Sequence, residues 1–175
     1  HCRLTTLSQP QIKKNIKRSM DDIQKHLGSK PQFFSYPYGE YNQSVQKVVS
    51  NLGFKAGLTQ NLGVAAQESN HLQLARIAVT NNSNFQERLQ YSYLPAHWLA
   101  VDKMVKGNKL VKVQLKTKPE IKQAQLYVSG YGWQEVNLKQ GYLDIKLNLK
   151  LTRGRTRIFL KTYRNQITSK LILSE

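Results

Sequence analysis

The strongest constraint on this chain is a change of hydrophobic period near residue 100. Beyond it, "KLVKVQLKT" sets Val111, Val113 and Leu115 against Lys112, Gln114 and Lys116, and "YLDIKLNLKL" sets Leu143, Ile145, Leu147 and Leu149 against Asp144, Lys146, Asn148 and Lys150. Successive side chains of a strand point to opposite faces, so each stretch reads as a strand with one buried face. "AQLYVS", "RTRIFLKTY" and "ITSKLILS" join them, separated by turns containing Gly and Asn. Five such strands predict an antiparallel β-sandwich.

Before the change the pattern is helical and strand-like in alternation. Ile12, Ile16, Met20, Ile23 and Leu27 recur at spacings of four, four, three and four, one face of a helix over 8–28. Ser8 with Gln11 forms a capping box, Pro10 lies in the first turn, and Gly28 stops the helix. "PQFFSY" then reads as a short buried strand, "PYGEYN" as a loop, and "NQSVQKVVSNLG" as a helix capped by Asn42 and closed by Gly53. Inward positions of that helix are Val45, Val48, Val49 and Leu52, and "FKAGLT" and "LQLARIAV" read as two further strands around the loop "QNLGVAAQESN". Strand, helix, strand in order predicts parallel α/β layering. The boundary falls between 90 and 102, giving domains of residues 1–95 and 96–175.

A chain of 175 residues is long enough to bury a real core. No stretch approaches the roughly 20 apolar residues of a membrane helix, and with no leader-like segment or initiator Met the sequence reads as starting within a longer gene. Cys2 is the single cysteine, which excludes an intrachain disulfide and a cysteine-built metal cluster. The net charge of +17 predicts attraction to polyanions, whether nucleic acid, anionic lipid or acidic envelope polymers, or simply a solvated Lys-rich surface. It leans C-terminal, with 11 Lys and Arg against 5 Asp and Glu in 1–90, and 16 against 5 in 91–175. Zinc-finger spacing, RNP-like aromatic strands and Gly-x-x-Gly loops are absent, so no specific nucleic-acid partner is expected.

The stretch "FFSYPYGEYN", residues 33–42, concentrates aromatics around Pro37 and Gly39. Alone it reads as a turn packed by its own rings. In order with "HCRLTTLS" and "HLGSKPQ" before it and "NLGFKAGLT" and "LQLARIAV" after it, it resembles the C-terminal portion of a polysaccharide deacetylase domain of the NodB kind, carbohydrate esterase family four. The resemblance spans about residues 1–80. It implies part of a distorted (β/α) barrel, so the fold expected overall is α/β with an appended antiparallel β-sandwich.

That family removes acetyl groups from N-acetylglucosamine-containing polysaccharides with a divalent metal, commonly zinc, held by one Asp and two His. His1 matches the second His; the first His and the Asp pair would lie before the sequence given, which then is a fragment or an inactive relative. The Tyr38 backbone N–H corresponds to the oxyanion donor, with Tyr36, Pro37 and Gly39 forming a wall of the sugar groove. Ser35 stands where the family usually has an Arg, and Arg76 is the substitute for orienting the base, or else an ordinary strand-end cation. The usual late His is also absent. His71 is the candidate acid for the departing amine, or an exposed loop histidine. Trp133, read as lying in a turn beside Tyr131, together with "RGRTR", suggests an accessory sugar- or polyanion-binding surface or a packing domain. The resemblance implies a secreted, periplasmic or surface location. The competing function is a noncatalytic carbohydrate- or envelope-binding protein on the same scaffold.

Overall fold

Helix α1, Gln9–Leu27, begins where the Gln11 side-chain oxygen accepts from both the Ser8 N–H, 3.0 Å, and the Ser8 hydroxyl, 2.9 Å. It ends at Gly28, whose φ of +73° turns the chain out of the helix. The computed structural model describes residues 2–81, 83–99, 105–151 and 154–173. They form two compact units: one runs to Gln60 and includes Ala65–Arg76, and the other comprises Asn61–Val64 and the chain from Ile77 onward.

In the first unit, strands β1, Phe33–Ser35, and β2, Ala56–Leu58, pair in parallel with Phe34 opposite Gly57. Helix α2, Gln43–Asn51, connects them, with the Asn42 side chain accepting from the Val45 N–H at 2.9 Å. Strand, helix, parallel strand is the alternation the sequence predicts. Ile12 and Ile16 of α1 meet Val45, Val48 and Val49 of α2 in one buried cluster with Leu4, Tyr36 and Phe54. Each such aliphatic side chain contributes about 1.5–3 kcal/mol by leaving water. The apolar stripe of α1 then emerges from cover: Ile23 is 36% exposed and Leu27 74%.

Two expectations change here. "PQFFSY" is not wholly buried, because Phe33 at the outer edge of the two-stranded sheet is 63% exposed. "LQLARIAV" is not a strand: His71–Gln73 forms a 3-10 turn, nucleated by the Asn70 side chain accepting from the Leu72 N–H, and only Leu74 bridges to Leu58. Asn competes locally for backbone donors and winds the segment before a ladder can form.

In the second unit all five expected strands are present: β6, Lys109–Lys116; β7, Gln123–Val128; β9, Tyr142–Lys150; β10, Arg155–Lys161; and β11, Gln166–Leu173. A further strand, β8, Gly132–Asn137, occupies the stretch read as a turn around Trp133. The turn itself is shorter, closed by the Tyr131 N–H donating to the Val128 carbonyl at 2.9 Å. Short strands β3, Ser92–Tyr93, β4, His97–Trp98, and β5, Val105–Lys106, and helix α3, Phe85–Leu89, complete the unit.

One sheet has the order β3-β11-β10-β7-β8, and the other joins β4, β5 and β9 to β6. Pairing is antiparallel except for β3 with β11, which is parallel. Leu110, Val113, Leu115 and Leu143 from one sheet and Ala124, Leu126, Ile158 and Leu160 from the other enter one buried cluster. Val111 is only half-buried, and Leu110 takes the inward position expected for it. The reason is a bulge: Leu110 pairs with Leu149 but Lys112 with Lys146, so two steps on β6 match three on β9, where Asn148 has φ +57°.

Candidate functional site

Ligands of parallel α/β sheets gather beyond the carboxyl ends of the strands. In the first unit that region holds the turn after β1, with Pro37–Gly39 forming a 3-10 turn after Ser35. Tyr38 lies in the left-handed region, φ 58° and ψ 7°. For a non-glycine aromatic residue this is a strained conformation, costing on the order of 1–2 kcal/mol, of the kind concentrated at functional sites. Gly39, φ +69°, has no alternative: an added Cβ would lie 2.5 Å from Cβ and 2.8 Å from the backbone N of Gln60. Tyr38 itself is 40% exposed.

Two segments converge on this turn. Glu40 is buried, and its carboxylate pairs with Arg3 at 3.6 Å and accepts from the Thr5 hydroxyl at 3.5 Å. The Asn42 amide donates to the Thr5 carbonyl at 3.4 Å. On the other side the Tyr36 hydroxyl donates to the Leu72 carbonyl at 2.9 Å, and the Tyr41 hydroxyl to Gln73 Oε1 at 3.5 Å. The Pro-Tyr-Gly turn is thus clamped between the segment at 3–5 and the segment at 72–73.

Glu40 is the residue that sequence reasoning passed over. Its only signal is its place directly after the Gly of the turn, in a chain with 10 acidic residues in all.

The aromatic concentration has a different meaning from the one expected for Tyr36. Its ring is 2% exposed and packs 5.2 Å from both Phe34 and Tyr41, so it is core and offers no face to a sugar. Burial, and then Tyr41, push its hydroxyl up to about 12. Gly57 makes this packing possible, since a Cβ there would meet the Tyr36 ring at 2.9 Å. Pro37 is half-buried and leads into the turn. His71 and Arg76 are exposed, at the start of the 3-10 turn and two residues past the Leu74 bridge. His1 lies outside the described residues.

Among the described residues no group of three or more His, Cys, Asp or Glu gathers to hold a metal ion.

In the second unit Trp133 lies on the solvent side of β8, 47% exposed, directly across from Tyr127. Their rings are 5.2 Å apart, and Tyr127 stacks on Phe159 at 5.1 Å and 15°. The Lys161 ammonium sits 5.2 Å over the Trp133 ring. Tyr127 and Phe159 extend the single ring singled out from sequence; the signal for both was an aromatic at an outward position of an alternating strand. Arg155 and Arg157 of the basic run stand on β10, where burial and then the neighbouring Arg155 lower the Arg157 pKa. Arg153 lies outside the described residues.

Residues 1–57 match the polysaccharide deacetylase family. The match covers this N-terminal stretch, about a third of the chain. Among solved structures, a Streptococcus pyogenes deacetylase, PplD, in complex with acetate is similar at 30% identity and a TM-score of 0.45, covering 47% of this chain and 36% of that one. The deacetylase domain of BpsB from Bordetella bronchiseptica is similar at 25% identity and a TM-score of 0.38, covering 39% and 26%. The chain thus spans about a third or less of these proteins. No curated protein matches it.

Proposed function

We propose that this chain contributes the oxyanion side of a site for N-deacetylation of an N-acetylglucosamine-containing polysaccharide. The carrying observation is the strained Tyr38 turn, clamped by buried Glu40 to Arg3 and Thr5 and followed by the segment bearing His71 and Arg76. In this reading a water adds to the acetamide carbon, the Tyr38 N–H stabilises the oxyanion of the tetrahedral carbon so formed until the C–N bond breaks, and the exposed Tyr38 ring meets a pyranose face. A donor held in place by a rigid turn needs no reorganisation when the charge develops. Arg76 orients the base as a bidentate fork, and His71 protonates the departing amine. The products are acetate and a free amine on the sugar.

The family resembled is generally metal-dependent, and zinc is the metal we expect, with His1 as the ligand the resemblance assigns here. We read the first unit, which ends at Arg76 rather than near 95, as part of a deacetylase (β/α) barrel, and the second unit as an accessory β-sandwich. On that second domain the exposed Trp133 ring, backed by the tilted Tyr127 ring at 5.2 Å, offers a face to a further stretch of the polysaccharide. Such a substrate belongs to a secreted, periplasmic or cell-surface protein. Among the described residues no helix is long and apolar enough to cross a membrane.

A noncatalytic carbohydrate-binding role is the second reading, favoured by the exposed Tyr38 and Trp133 rings, whose contact with a sugar face needs no metal. Titration with N-acetylated chito-oligosaccharides, with acetate release assayed in added zinc, separates the two. Acetate release supports the enzyme; binding that Tyr38→Ala weakens, without release, supports the binding protein. Failure to bind at all, or binding indifferent to Tyr38→Ala and Trp133→Ala, overturns both.

A further inference from the structure

The pairing of β6 puts like charges face to face. Lys109 stands directly opposite Lys150 on β9 and opposite Lys106 on β5, and Lys112 stands directly opposite Lys146. Lys116 shares the same outward side, since its even-numbered neighbours Lys112 and Gln114 alternate with the buried Val113 and Leu115. Six lysines therefore occupy one sheet face with a single carboxylate, Asp144, which accepts from the Gln114 amide at 2.8 Å. Among the described residues no ion pair engages any of the six. Like charges directly opposite on a sheet are destabilising, so the lattice costs the fold stability.

We propose that this face binds a linear anionic glycan. On β6 the same-face lysines lie three and four residues apart, roughly 10 and 13 Å, and about 5 Å separates neighbouring strands, an array suited to an extended polymer that carries charge along its length. Opposite Lys116 the face carries exposed His97 and half-buried Tyr142, which accepts from Gln114 at 3.1 Å; among the described residues of β5, β6 and β9 it has no other exposed ring for bases to stack on and no exposed large apolar side chain to enter a bilayer. Lysines are hydrated point charges and lack the bidentate fork that reads bases, so recognition here follows charge spacing. The assignment is independent of the deacetylase reading of the first unit.

The test is a titration of the whole chain with polygalacturonate, with dextran as the uncharged control, and with duplex DNA and phosphatidylglycerol vesicles as rival polyanions. Lys109→Glu with Lys112→Glu turns three like pairs into opposite pairs, so this variant keeps or raises the melting temperature. Lys13→Glu with Lys17→Glu on α1 removes the same net charge elsewhere. We expect polygalacturonate binding to weaken at least about tenfold in the β6 variant and less than about threefold in the α1 variant, with steep loss as salt rises. Equal losses in both variants would reduce the effect to overall charge and overturn the proposal. Tighter binding per charge to DNA or vesicles overturns the choice of glycan, and so does binding of dextran.

Discussion

Tyr36 and Tyr38, two positions apart, have opposite fates. Tyr36 faces the core, and Tyr36→Phe removes its bond to the Leu72 carbonyl, costing about 1–2 kcal/mol in urea unfolding at neutral pH. Its hydroxyl titrates at about 12 in the folded unit, against about 10 when unfolded. The native state keeps a proton that the unfolded chain gives up, so this stabilisation is complete below pH 10 and lost as pH rises through about 12. Tyr36→Phe should flatten that alkaline fall relative to wild type; an unchanged pH difference between the two would show that the hydroxyl is not buried as described. Tyr38→Gly relieves the left-handed strain and should leave stability within about 1 kcal/mol of wild type while weakening chito-oligosaccharide binding. Gly39→Ala should cost at least about 2 kcal/mol by thermal melting, because both the φ and the contact with Gln60 forbid it.

At the scale of elements, helix caps were legible because they are local. Ser8, Gln11, Gly28 and Asn42 perform the roles their types predict, and Gln11→Ala should cost about 1 kcal/mol by leaving the Ser8 N–H without its partner. Urea midpoints for this variant near wild type would mean that the helix start is held by packing alone. What was not legible depended on a partner strand. "GWQEVN" looks like turn sequence because of its glycine and charges, yet β7 pairs with it along its whole length. "LQLARIAV" has strand composition, yet only Leu74 finds a partner. β-propensity measures fit to neighbours, which are remote in sequence.

At the scale of the whole molecule, charge governs behaviour. With +17 overall and facing lysines on one sheet, repulsion opposes the compact state, and it is screened over about 10 Å at 0.1 M salt. Raising sodium chloride from about 0.02 to 0.5 M should therefore increase the melting temperature by a few degrees. A fall over the same range would indicate that the ion pairs Arg3–Glu40 and Lys161–Glu87 outweigh the repulsion.

Short-range physics made several features legible from the residues alone: two helices with their caps, seven of the strands, the change of period, and the order of motifs resembling a deacetylase. Only the tertiary structure decided that Tyr36 is core while Tyr38 is strained and exposed, and that buried Glu40 clamps the turn to Arg3 and Thr5. It alone decided, too, which lysines oppose which. Period and capping are properties of neighbouring residues, whereas burial and register depend on what the folded chain brings alongside, and a bulge of one residue is enough to move Leu110 into the core and Val111 half out of it.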